Sequence, residues 1–272
     1  MLFRSANHTI EEITRNQLDN ALLNISDRNR LISRISELDV LLHLGWLGTD
    51  AISRQDVEIQ KKNLEYSKAL IQCVADTNSE KLHFIGVGSQ AEFGDRIAPW
   101  ADDSTVKPQC EYSNAKIQVL AFLRKKIQNY TWARVFSCYG PNDRRKNVFR
   151  TTAKSMVENK PINLSSCLQK WSNLHVDDVT RGFVVIIDKQ IKGEMNIADS
   201  EPMTLREQLL EFAYRNTSLL MFEQLQLLPL RHVFAQPGLL IKNGWKPSIN
   251  IRDGMRNYFG EILQMLSHEI SK

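Results

Sequence analysis

Short apolar runs alternate, in the first half of this chain, with longer stretches whose apolar residues recur every three or four positions. Asp39-Val40-Leu41-Leu42-His43-Leu44 is apolar and bounded by Gly45 and Gly48, the mark of a strand buried on both faces. Lys81 to Val87 and Trp132 to Phe136 have the same character. Between the first two, Ile59 to Ala75 places Leu64, Ala69, Leu70 and Val74 at helical spacing, and between the second and third, Tyr112 to Gln128 does so with Ile117, Leu120, Phe122 and Ile127. Strands alternating with helices predict an α/β fold, a parallel sheet covered on both faces. Beyond Pro141 the pattern loosens, and the chain predicts strands at Phe183 to Asp188 and Glu194 to Ala198 and helices at Leu205 to Tyr214 and Arg252 to Ser267. A smaller, partly helical region added late in the chain is expected.

With 272 residues there is room for one large domain, or one domain with an appendage. The 35 basic and 31 acidic residues leave a formal charge of +4, with no run of five like charges, so nucleic acid is not the expected partner. Local Arg and Lys still suffice for a phosphorylated small molecule, which needs a pocket and not a global field. Cys73, Cys110, Cys138 and Cys167 are scattered, with no Cys-x-x-Cys pair and no His at ligand spacing. Reduced thiols and no metal are expected. The opening Met1 to Ser5 has no apolar stretch behind it, and no later run approaches the roughly 18 residues of a membrane span. A cytoplasmic protein without a membrane partner is the expectation.

Tyr112 and Lys116 stand four apart at the start of a predicted helix and project from one face. An ammonium beside a phenol favours the phenolate, as a tyrosine acting as acid or base near neutrality requires. Ser89 follows the strand ending at Val87, at the carboxyl end where open α/β sheets place ligands, and its hydroxyl could orient the oxygen that Tyr112 protonates. Gly86-Val87-Gly88-Ser89-Gln90-Ala91 formally spells the dinucleotide fingerprint, but the chain runs on into Phe93-Gly94-Asp95 and Pro99, which is turn chemistry. The fingerprint needs a helix N-terminus at that place, so the match is rejected.

These residues, taken in order, resemble the extended short-chain dehydrogenase/reductases, the group of nucleotide-sugar epimerases, dehydratases and reductases. Asp39 to Gly45 is similar to the family's strand leading to the cofactor, and Asn63 to its helix asparagine. Ser89 through Phe93-Gly94 resembles the catalytic serine and its Tyr-Gly turn, with Tyr112 and Lys116 following. Arg134-Val-Phe-Ser-Cys-Tyr139-Gly140-Pro141 resembles Arg-x-x-Asn-x-Tyr-Gly-Pro, His175 to Val179 the His-Val-Asp-Asp segment, and Asn243-Gly244-Trp245-Lys246-Pro247 the closing Leu-Gly-Trp-x-Pro. The resemblance implies a Rossmann-type sheet over 1–140 and, over 141–272, a substrate-binding lobe from which 175–200 returns to the sheet. It implies Tyr112 as general acid/base, Lys116 on the nicotinamide ribose and Ser89 on the substrate oxygen. It also implies NADP or NAD as cofactor, held by His43, Leu44, Gly45, Asn63 and Lys116, with Arg4 favouring the phosphate of NADP(H). The substrate implied is a nucleotide sugar bound by Ser89, Gln90, Ser137, Trp171 and Arg231, and a homodimer is the assembly it allows.

Departures from the family pattern sharpen these expectations. Gln90-Ala91 stands where dehydratases of the family carry Asp-Glu, which disfavours dehydration. Ser137 replaces the usual asparagine, and Gln169 to His175, with Trp171, resembles the Gln-x-Trp-Asp-x-Leu-His form of reductases in surface-polysaccharide pathways. Trp171 is then a platform for the nucleotide base, and Arg231 the cation for the diphosphate. Leu2 to Ser5 resembles the end of the family's second strand, so about 30 residues, a central strand and the glycine-rich pyrophosphate loop among them, are expected upstream or missing. Asn24-Ile25 stands where an Asp-Leu pair usually meets the adenine. Three functions stay open: reduction of a keto group on a nucleotide-activated deoxysugar, epimerisation through a transient keto sugar, and a non-catalytic relative acting as a binding or partner subunit.

Overall fold

Helix starts follow capping chemistry written into the chain. The computed structural model describes residues 12, 24–95, 98–143, 145–225, 231–236 and 238–270. Asn24 Oδ1 accepts the Ser26 N–H at 2.8 Å and opens α1 (Ile25–Ser36), while Asp56 Oδ1 accepts the Ile59 N–H at 3.0 Å and opens α2 (Val57–Asp76). The later helices are α3 (Glu111–Lys126), α4 (Val148–Val157), α5 (Val176–Asp188), α6 (Leu205–Phe212), α7 (Leu239–Lys242) and α8 (Ile251–Ile270). The strands, in order, are β1 (Val40–His43), β2 (His83–Ser89), β3 (Tyr130–Val135), β4 (Ser137–Tyr139), β5 (Ile162–Asn163), β6 (Asn173–His175), β7 (Gly193–Ile197) and β8 (Leu220–Met221).

A parallel sheet runs in the order β1-β2-β3-β7, with Val40 opposite His83 and His43 opposite Gly86 at its first pairing. Parallel neighbours need a crossover, and α2 and α3 supply it for the first two steps. The α/β sheet expected from the alternation is therefore present.

The chain divides into two compact units. One comprises the residues up to Gly94, Asp103–Arg134 and Phe183–Met195; the other comprises Asp95–Asp102, Val135–Gly182 and Asn196–Lys272. In the first, Ile35, Leu41, Ile71, Phe84, Leu123 and Trp132 meet in a core formed by α1, α2, α3 and the sheet. In the second, Tyr139, Phe149, Phe212 and Tyr258 stack with ring centroids 5.2 to 5.9 Å apart, closed over by α8. Two short parallel pairs, β4 with β6 and β5 with β8, lie there as well.

One predicted element changes type. Phe183 to Asp188, expected as a strand, is the second half of α5. Its β-branched run favours a strand locally, but Val179, Phe183 and Ile186 fall on one helical face and are all buried, so tertiary packing decides. Among the described residues no helix is long and apolar enough to cross a membrane.

Candidate active site

Strand β2 delivers Ser89 into a turn built around a buried carboxylate. Ser89 Oγ accepts the Ala91 N–H at 3.2 Å, and Glu92 Oε1 reaches back to the Ser89 N–H at 2.8 Å, forming a capping box over the 3-10 turn Gln90–Phe93. Glu92 is wholly buried, and its other oxygen takes Arg134 Nε at 2.7 Å and the Trp132 indole N–H at 3.1 Å. Arg134 continues to Glu194 at 2.5 Å, and Glu194 also pairs with Arg124. A chain of alternating charge thus runs from the Ser89 backbone to Glu194 on β7 and Arg124 on α3. Pairing of this kind is what makes a buried carboxylate tolerable.

The same tryptophan explains the two glycines of the rejected fingerprint. A Cβ on Gly86 would stand 2.5 Å from the Trp132 ring, and one on Gly88 would strike the Trp132 indole nitrogen and Glu92. These glycines admit an indole against the strand.

Tyr112 and Lys116 lie one turn apart at the start of α3, both buried, and the Ser89 hydroxyl is among the groups that act on the Tyr112 phenol. Burial raises the phenol pKa, with the Ser89 hydroxyl and the positive charge of Arg54 acting against it. Burial lowers the Lys116 pKa to about 7, opposed by the charge of Glu92. The Lys116 ammonium donates to the Val87 carbonyl at 2.7 Å and sits 3.5 Å from the centre of the Trp46 ring, while its distance to the Tyr112 ring centre is 5.7 Å. Trp46 in turn meets Tyr112 edge-on with centroids 5.8 Å apart.

The loop after β1 is clamped from α2. Asn63 Oδ1 accepts the Leu47 N–H at 2.9 Å and its amide donates to the Leu47 carbonyl at 2.8 Å, so both ends of this side chain are engaged with the loop backbone. Gln60 accepts the Trp46 indole N–H at 3.0 Å. Leu44 and Gly45 are exposed in this loop, whereas the His43 ring turns to Ser67 at 2.9 Å and is held neutral, its pKa lowered to about 3 by burial and by Lys116. Asn24 is occupied as the cap of α1. Arg4 lies outside the described residues.

Gln90 is half-buried in the turn after Ser89. Within the second unit the structure brings Ser137 and Trp171 together, the indole N–H donating to Ser137 Oγ at 2.9 Å. Arg231 is exposed beside His232, whose Nδ1 accepts the Lys170 N–H. His175 stacks edge-on against Tyr139, and buried Asp178 receives the backbone N–H groups of Ser248 and Ile249. Trp46, Arg54 and Glu92 join the site without having been singled out from the sequence. Only Glu92 had a local signal, the Ser-x-x-Glu spacing of a capping box.

The geometry joins a serine hydroxyl, a buried phenol and an amine of low basicity beside a parallel sheet, a set able to pass a proton to and from a substrate oxygen. No curated protein matches the chain. Among solved structures, it is similar to the UDP-glucuronic acid 4-epimerase of Bacillus cereus in complex with NAD, at 21% identity over 90% of this chain and 79% of that one, with a TM-score of 0.71. It is similar to the UDP-glucose 4-epimerase of Thermotoga maritima at 18% identity, covering 89% and 84%, with a TM-score of 0.68. RMD of Pseudomonas aeruginosa, complexed with NADPH, matches at 17% identity, covering 85% and 86%, with a TM-score of 0.64. These likenesses are of fold. The model of the NAD dependent epimerase/dehydratase family matches residues 3–198, and the chain belongs to that family.

Proposed function

We propose that this protein catalyses an NAD(P)-dependent hydride transfer at a sugar carbon of a nucleotide-activated sugar, and that its reaction is reduction of a keto group on a deoxysugar. The observation that carries this is the buried Tyr112 phenol with Lys116 one helical turn away on α3, and buried Ser89 at the end of β2 among the groups acting on that phenol. Ser89 positions the carbonyl oxygen, and Tyr112 delivers its proton to that oxygen as the carbon receives hydride. Lys116 has three N–H donors and gives one to Val87, which leaves donors for the hydroxyls of a nicotinamide ribose. The cofactor, when bound, supplies the hydride, and the protein supplies placement and electrostatics. Among the described residues there is no glycine-rich turn between a strand and a helix to take a pyrophosphate, so the fit concerns the nicotinamide half. The solved relatives with NAD and with NADPH support either cofactor.

Dehydration gains no support from the turn after Ser89. Gln90 and Ala91 offer no carboxylate, and the one nearby, Glu92, is tied to the Ser89 backbone, Trp132 and Arg134. Epimerisation is the second reading, favoured by the family's name and by the two epimerases among the similar structures. Cofactor stoichiometry separates the two. With NADPH or NADH and a panel of UDP-, dTDP- and GDP-linked 4-keto-6-deoxy sugars, a reductase oxidises one cofactor per sugar reduced. Interconversion of 4-hydroxy epimers with no net cofactor change would replace this reading with epimerisation.

A further inference from the structure

We propose that Arg54 is the second cation of the active site, a positioning residue whose guanidinium lies on the face of the Tyr112 ring and stabilises that phenol as it loses its proton. The inference rests on the reading of Tyr112 as the acid/base and adds a residue that the Ser-Tyr-Lys pattern does not contain.

Arg54 lies on the 3-10 turn Ser53–Gln55, and that turn is held from both sides. Asp50 accepts the N–H groups of Ile52 and Ser53 at 3.1 Å each and the Ser53 hydroxyl at 2.6 Å, while Gln60 donates to the Ser53 carbonyl at 2.8 Å. The turn therefore presents Arg54 from a fixed backbone. Its guanidinium carbon stands 4.8 Å from the Tyr112 ring centre, and its buried Nε has no hydrogen-bond partner among the described residues. No carboxylate pairs with Arg54 among those residues either, so its charge is not neutralised at the ring. A cation this close to a phenol in a low-dielectric site favours the phenolate.

Lys116 is less well placed for that task. It donates to the Val87 carbonyl and lies against Trp46, farther from the Tyr112 ring than Arg54 is. The other groups facing Tyr112 are the Ser89 hydroxyl from β2, Glu92 from the turn beyond it, and Cys110 at the cap of α3. The two potential anions, Glu92 and Cys110, act against the phenolate, and the neutral His43 ring adds no charge there. Arg54 is thus the cation that opposes Glu92 at the phenol.

The test needs no substrate. The full chain is labelled with 3-fluorotyrosine, the Tyr112 resonance is assigned by its absence in Tyr112→Phe, and its titration is followed by fluorine NMR. Arg54→Ala and Arg54→Met are expected to raise the Tyr112 midpoint by about one pH unit, and Arg54→Lys by less than half of that. Arg54→Met keeps the packing and loses the charge, so a midpoint equal to wild type in Arg54→Met overturns the proposal and leaves only a packing role. Turnover of Tyr112→Phe on a nucleotide sugar judges the acid/base reading separately, so the two can fail independently.

Discussion

Alanine at Gly86 or Gly88 forces a Cβ into the Trp132 indole, whose N–H is also bonded to the Glu92 carboxylate beneath Ser89. Overpacking of this kind costs about 1 to 3 kcal/mol. Gly86→Ala is expected to lower denaturant stability by that amount, and the same substitution made in a Trp132→Leu background is expected to cost much less. Equal costs in the two backgrounds would show that the indole does not set the glycine requirement. The Gly-x-Gly pattern could be denied a phosphate-binding role from the sequence, because the turn residues after it forbid a helix start. Its actual cause could not be read, since Trp132 is more than forty positions away and no local rule links them. Arg54 was hidden for the same reason: nothing in Ser53-Arg54-Gln55 announces the ring it covers.

Between β2 and β3 the His83 side chain meets Thr131 at 2.7 Å, and its Nδ1 is buried with no partner among the described residues. Protonation would add an N–H there with nothing to receive it. Burial, helped by Lys192, lowers the pKa to about 4 from 6.5. Between those values the unfolded chain takes up a proton that the folded chain refuses, so stability is full above pH 6.5 and falls as pH drops towards 4. His83→Gln is expected to remove about 2 kcal/mol of that acid loss, measured as the difference in unfolding free energy between pH 7 and pH 4.5. An unchanged difference would place the acid sensitivity elsewhere. Of the elements, those of the first unit were the more legible, because each strand or helix there has a run or a period long enough to declare itself. The stretch Phe183 to Asp188 misled because five consecutive β-branched and aromatic positions, Phe183 to Ile187, fit either type, and only the buried face shared with Val179 settles it. In the second unit, Tyr139, Phe149, Phe212 and Tyr258 come from four separate stretches. A core assembled at that separation leaves no local signature.

At the scale of the whole chain, a parallel α/β sheet and membership of the NAD dependent epimerase/dehydratase family frame one catalytic claim. In the proposed reaction, Tyr112 passes a proton to the oxygen of a nucleotide-linked sugar while the adjacent carbon receives hydride. The placement of Ser89 at a strand end and of Tyr112 and Lys116 at a helix start was legible because each rests on a local pattern. Their electrostatic setting was not, because Glu92, Arg134 and Trp46 reach them from other elements. The most direct measurement is the rate at which deuterium passes from deuterated NADPH or NADH into a nucleotide-linked 4-keto sugar, compared between the wild-type chain and Tyr112→Phe, with dinucleotide affinity measured alongside. A fall of about a hundredfold or more in the rate at nearly unchanged affinity is expected, because only the ionisable oxygen is removed. Retention of more than about a tenth of the wild-type rate would contradict the assignment of Tyr112 as the acid/base.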